Sequence, residues 1–147
     1  MSEYVRIAAI DIGSDTVHIL IADVSASSDG PLVSDIEQRG ELIELGRQVA
    51  TKGRVGKRAA TRLEASLSRY LKLARRKSDR VVIGATEALR RATDGPALVE
   101  RLSAELGEPV RVLSGAREAA LGLAGAVHRL DPTGSSCLST RAAPRRR

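Results

Sequence analysis

The chain has 147 residues, a formal charge of +6, one cysteine, two tyrosines and neither phenylalanine nor tryptophan. That is one domain's worth of chain with an aliphatic core. It excludes an internal disulfide, a zinc-thiolate cluster and recognition of bases by stacked aromatic rings.

The first predicted strand, Val5–Ile12, runs into the turn Gly13-Ser14-Asp15-Thr16, and a second strand, Val17–Val24, leaves it. Apolar runs flanking an Asp-Gly-polar turn predict a hairpin. The strand delivers a lone carboxylate, Asp11, to the turn. Gly13 allows close backbone approach, Ser14 and Thr16 offer hydroxyls and amides, and Asp11 can hold a hydrated cation. That set suits a phosphate chain bound with magnesium, although turn geometry alone also selects Asp and Gly.

After a turn at 25–31, Leu32–Leu45 reads as a third strand with a break allowed at Gly40. Residues 46–56 read as a loop rich in glycine and basic residues. Lys57–Lys77 has helical spacing at Leu63, Leu67, Tyr70 or Leu71, and Ala74. Its end carries Arg69 to Lys77, a cluster that favours the helix dipole or attracts a polyphosphate. Arg80–Ala85 is a short buried strand and Thr86–Thr93 a helical turn. Asp94 caps a helix reaching Leu106, with Gly107 as its stop. Pro109–Leu113 is a further strand, and Ser114 caps a helix over Ala116–Arg129. Three hairpin-linked strands followed by alternating helices and strands imply an α/β fold, a mixed sheet with flanking helices. His18, on a strand, and His128, near a helix end, have no neighbours at ligand spacing and read as structural or surface residues.

Residues 1–130 form the expected domain, and 131–147 a linker and a basic, disordered tail. Four arginines in the last seven residues carry most of the charge; removing them leaves +2. No stretch approaches the roughly 18 apolar residues of a membrane span, and no signal peptide is visible, so a cytoplasmic protein without a membrane partner is expected. Without aromatic platforms or a recognition helix, nucleic acid is not an expected partner.

Asp11-Ile12-Gly13-Ser14-Asp15-Thr16-Val17-His18-Ile19-Leu20 resembles the first phosphate loop of the Ppx/GppA family, the exopolyphosphatases and guanosine pentaphosphate phosphohydrolases. Arg54-Val55-Gly56, Gly84-Ala85-Thr86-Glu87-Ala88-Leu89-Arg90 and Val112-Leu113-Ser114-Gly115-Ala116-Arg117-Glu118-Ala119-Ala120-Leu121 resemble later family segments in the same order. The resemblance implies the actin-like (ribonuclease H-like) ATPase fold, as the first of two domains. It implies hydrolysis of terminal phosphoanhydrides in polyphosphate or guanosine pentaphosphate with Mg2+. In that scheme Glu118 activates water, Arg90 binds phosphate oxygens, and Gly13, Ser14, Asp15 and Thr16 line the phosphates. Asp11 holds the metal through water. Position 15 is usually Asn in the family, and a carboxylate there repels phosphate. Arg117 replaces a Glu and Ala120 an Arg, departures that imply either a shifted substrate preference or lost activity.

Family members continue past Ser136 with a second phosphate loop of the form Asp-x-Gly-Gly-Gly, and then a second domain. Here Leu138–Pro144 stands in its place. Read from the third base of each codon, that stretch permits Val-Asp-Ala-Gly-Gly-Ala. The expectation is therefore a frameshifted tail on a truncated phosphatase domain with little activity alone. The alternative is a non-catalytic module that binds a phosphate ligand or a partner. A homodimer, or a separate second domain, would cover the sheet face left open.

Overall fold

The computed structural model describes residues 4–28 and 30–129, with side chains through residue 125. The chain divides into two compact units, Met1–Gly115 and Ala116–Arg147. The first holds β1 (Tyr4–Ile12), β2 (Thr16–Ser25), β3 (Leu32–Leu42), α1 (Leu45–Lys52), α2 (Lys57–Lys77), β4 (Arg80–Ala85), α3 (Glu87–Arg91), α4 (Gly95–Leu106) and β5 (Val110–Val112). α5 (Gly115–Arg129) carries the chain into the second. The linker and tail expected over 131–147, with Cys137, lie outside the described residues, as does the side chain of His128.

One five-stranded sheet has the order β3-β2-β1-β4-β5. β1, β2 and β3 form an antiparallel meander, while β4 and β5 run parallel to β1. The three parallel strands end level, because Ile12 pairs with Ala85 and Ala85 with Val112. Ligands of open α/β sheets bind outside such carboxyl ends.

Strand alternation makes the core. Ala8, Ile10 and Ile12 of β1 and Val17, Ile19 and Ile21 of β2 are buried. Leu63, Leu67, Leu71 and Ala74 of α2 join the same cluster, with Leu98, Leu102 and Leu106 of α4. Spacings of three and four turn one face of each helix to the sheet.

Two predicted features differ in the structure. Residues 46–56 are not all loop: Leu45 and Val49, four apart and buried, drive the helix α1, and the third strand stops at Leu42. Gly40 does not break β3. It pairs with His18, whose ring lies where a Cβ at position 40 would sit, 2.7 Å from the nearest ring atom. His18 thus packs on Gly40 across the ladder, and a Cβ there would force its ring to move. The irregularity falls instead opposite Ile21/Ala22.

The basic cluster at the end of α2 is largely committed to structure. Arg69 donates to Glu41, Lys77 to Glu37, and Arg75 to the Leu106 carbonyl and Glu108. The first two tie the exposed edge strand β3 to α2, and charges on an edge strand oppose pairing with other chains.

Candidate active site

The β1–β2 turn is built from backbone. The Gly13 amide donates to the Thr16 carbonyl at 2.9 Å, closing the turn. A Cβ at Gly13 would sit 3.1 Å from that same oxygen. The two carbonyls of the turn are also engaged. Gly46 donates to Ser14 at 2.7 Å, and Ile43 and Glu44 donate to Asp15 at 2.7 and 2.9 Å. The described bonds are all trans, so each peptide's N–H points opposite to its C=O. The amide of Asp15 therefore faces away from the Gly46 bond, and that of Thr16 away from Ile43 and Glu44. No protein acceptor among the described residues takes the amides of Ser14 or Asp15. The turn thus offers backbone donors as a nest for an anion. Gly13 was expected to donate an amide to phosphate; in the structure that amide holds the turn's shape.

Two residues that sequence reasoning did not single out enforce this arrangement. A Cβ on Gly46 would lie 2.9 Å from the Ser14 Cβ, so only glycine lets α1 dock on the turn. Glu44, which precedes α1, has φ 59° and ψ 41°, the left-handed conformation. It is the one non-glycine with positive φ among the described residues. For an L-residue this costs about 1–2 kcal/mol. Strain of this kind persists where surrounding contacts over-determine the backbone, here the Glu44 amide on Asp15.

Asp11 lies one residue before the end of β1, exposed, between His18 of β2 and Gly84 of β4. The next element is anchored to the same strand end. The amide and hydroxyl of Thr86 both donate to the Ile12 carbonyl, at 3.1 and 3.2 Å. Thr86 is buried, so the doubly used carbonyl fixes where α3 starts. One turn on, the exposed Arg90 guanidinium donates to the Leu113 carbonyl at 2.6 Å. A Cβ on Gly115 would stand 3.8 Å from another of its nitrogens. Asp11, the 13–16 turn and Arg90 thus share the carboxyl-end rim of the parallel strands. Glu118 belongs to the second unit, where it is the acidic residue of the first turn of α5, half-buried.

Asp94 was expected to cap α4. It occupies the cap position, but its carboxylate makes no cap bond. It accepts instead from the amides of Val55 and Gly56, at 2.8 and 2.9 Å. Thr93 binds the Gly53 carbonyl through both amide and hydroxyl. The Arg54-Val55-Gly56 segment is thereby clamped to the start of α4. Partial burial pushes the Asp94 carboxyl up, but the amides of Gly56 and Val55, Asp94's own amide and nearby Arg54 outweigh it. The net effect holds it below the ordinary carboxylate range.

Among the described residues no three His, Cys, Asp or Glu side chains group as a metal site. A magnesium ion needs no such cage. It keeps several waters and takes one or two carboxylates plus substrate phosphates. The exposed, hard oxygen donors of Asp11 fit that role.

A mixed sheet in the order 3-2-1-4-5 with flanking helices, shared with the structures below, is a domain of the actin-like ATPase fold. The comparisons agree. The model of the Ppx/GppA phosphatase family matches residues 20–138, and the chain belongs to that family. Exopolyphosphatase 2 of Mycobacterium tuberculosis is 32% identical over 136 residues, covering 88% of this chain and 43% of that protein. A Ppx/GppA family member from Aquifex aeolicus has a crystal structure that superposes with TM-score 0.76 at 34% identity, over 88% of this chain and 42% of that one. An exopolyphosphatase from Cytophaga hutchinsonii matches with TM-score 0.67 at 31% identity, over 79% and 36%. The chain therefore spans less than half the length of these relatives. Among the described residues no helix is long and apolar enough to cross a membrane.

Proposed function

We propose that this chain is the phosphate-binding half of a cytoplasmic, magnesium-dependent phosphatase that removes terminal phosphates from polyphosphate or guanosine pentaphosphate. The observation that carries this reading is the turn itself, whose carbonyls are drawn back onto α1 while its outward amides lack protein acceptors. The relatives named as exopolyphosphatases support the substrate class.

Phosphoryl transfer requires charge neutralisation and a positioned water more than covalent chemistry. The amides of Ser14, Asp15 and Thr16 would bind phosphate oxygens. Arg90 would add a planar fork able to take two at once. Asp11 would hold Mg2+ through water, and the metal would offset charge on the phosphates. Glu118 would orient and deprotonate the attacking water. The chain covers 43% of that relative, so the activity is proposed for a protein that contains this domain. The alternative reading is a binding module without catalysis.

Phosphate release and tripolyphosphate binding, measured on one sample with Mg2+, separate the readings. Release that disappears in Glu118→Gln supports the enzyme. Binding without release supports the module, and neither binding nor release refutes both.

A further inference from the structure

Two of the groups proposed to bind phosphate, the 13–16 turn and Arg90, depend on short helices. The turn rests on α1, of eight residues, and Arg90 rides on α3, of five. Helices this short are not stable by themselves, so their ties to the rest of the fold set where they sit. The start of α1 and the two residues before it hold the turn, through Gly46 on the Ser14 carbonyl and Ile43 and Glu44 on that of Asp15. The start of α3 is held on the end of β1, through Thr86 on the Ile12 carbonyl. The far ends of the two helices are tied to each other. α1 stops at Gly53, whose carbonyl accepts from the Thr93 amide and hydroxyl at 2.9 and 3.1 Å. Just beyond, Val55 and Gly56 donate to the two carboxylate oxygens of Asp94.

These ties close into a ring. It runs from the turn along α1 to residues 53–56, across to Thr93 and Asp94, back along α3 to Thr86, and through the Ile12 carbonyl to the turn again. α1 and α3 pack on each other inside it, and Leu45, Val49, Ala88 and Leu89 belong to one core cluster. The side of the ring away from the turn is the clamp at 93–94, four hydrogen bonds of which two are made to a carboxylate and so are the stronger kind. The side-chain bonds of Thr93 and Asp94 run to Gly53, Val55 and Gly56, not to the turn or to Arg90. The Arg90 guanidinium is steadied separately, by the Leu113 carbonyl, while its backbone is carried by the ring.

We infer that Thr93 and Asp94 are positioning residues for the phosphate site: by fixing the end of α1 to the end of α3, they set the span between the turn amides and Arg90. The inference rests on the reading of the turn and Arg90 as phosphate ligands. Two groups reinforce each other on one ligand only when both reach it at once, and a displacement of about 1 Å is enough to forfeit much of that gain. Releasing the clamp frees α1 and α3 to move apart, which spoils the joint grip and leaves each group able to bind alone.

The test is a double-mutant cycle, with tripolyphosphate and Mg2+ titrated into the intact chain, Asp94→Ala, Arg90→Gln and the double variant. Asp94→Ala should lower affinity at least about fivefold in the wild-type background. In the Arg90→Gln background the same change should alter affinity less than about twofold, because the span then has no far end to set. Asp94→Asn keeps one carboxylate-like oxygen for an amide and should recover part of the loss. Thr93→Val removes only the hydroxyl bond to Gly53; it should show a smaller loss that also vanishes with Arg90→Gln, and it serves where Asp94→Ala folds poorly. Unchanged affinity in Asp94→Ala and Thr93→Val overturns the inference. An equal loss in both backgrounds overturns it too, since that is general loosening and not a set span. If Arg90→Gln by itself leaves affinity unchanged, the reading of Arg90 as a phosphate ligand falls first and takes the inference with it.

Discussion

At position 15 main chain and side chain oppose each other. The carbonyl of Asp15 anchors the turn through two amides, while its exposed carboxylate adds negative charge to the site proposed for phosphate. Replacing the carboxylate with an isosteric amide leaves the backbone bonds in place and removes the repulsion. Asp15→Asn should therefore tighten tripolyphosphate binding about fivefold, roughly 1 kcal/mol, the scale of unit charges acting across solvent-exposed distances. Calorimetric titration at low salt reads this directly. An affinity that falls or stays level would mean the carboxylate faces a cation and not phosphate. At this scale position was legible in advance: Asp11 falls near the end of β1, Ser14 and Thr16 in and after the turn, and Arg90 on the helix that follows β4. Gly46 and Glu44 were not legible, because their importance comes from a tertiary contact with Ser14 and Asp15 some thirty residues earlier in the chain. The role of Gly13 was read as a donor because sequence shows an amide but not its partner.

At the scale of elements, the corner between α3 and α4 depends on one glycine. A Cβ on Gly95 would fall 2.0 Å from the Leu89 carbonyl, an overlap with backbone that no rotamer can relieve. Gly95→Ala should cost at least about 3 kcal/mol and lower the melting temperature by more than ten degrees, within the range of severe single mutations. A shift of only a few degrees would mean the corner opens easily. The clamp from Asp94 to the amides of Val55 and Gly56 makes a second element-scale prediction. Its carboxyl is held below the ordinary value, so the unfolded state takes up the proton first as pH falls. Stability from this group is complete above the unfolded value near 4 and is lost as pH drops through the lower folded value. Urea melts between pH 6 and 2 should show that loss, and Asp94→Asn should be less stable at pH 6 while showing a shallower acid slope. Equal slopes would contradict the clamp. The elements with strong periodicity, α2 and β4 above all, were readable from sequence at their observed bounds. α1 was missed because two buried apolar residues over eight give a weak signal between Gly46 and Gly53, and its stability comes from docking on the turn.

For the whole molecule, the order of hairpins and crossovers was enough to specify the mixed sheet, since few topologies satisfy right-handed parallel connections after an antiparallel meander. Charge distribution was harder to read. The basic run ending α2 stood out in sequence, yet ion pairs to Glu37, Glu41 and Glu108 absorb three of its members. The basic residues from Arg47 to Arg62 read as part of a loop rich in glycine and basic residues and the start of a helix, and the fold places them around one cleft. The account as a whole stands on the claim that the 13–16 turn and Asp11 form a magnesium-assisted phosphate site. Calorimetric titration of tripolyphosphate into the wild-type chain and Asp11→Asn, with and without Mg2+, tests it most directly. The account predicts wild-type binding strengthened at least tenfold by the metal, and loss of that enhancement in Asp11→Asn with the metal-free affinity retained. Binding indifferent to magnesium, or an enhancement that survives in the variant, would contradict it.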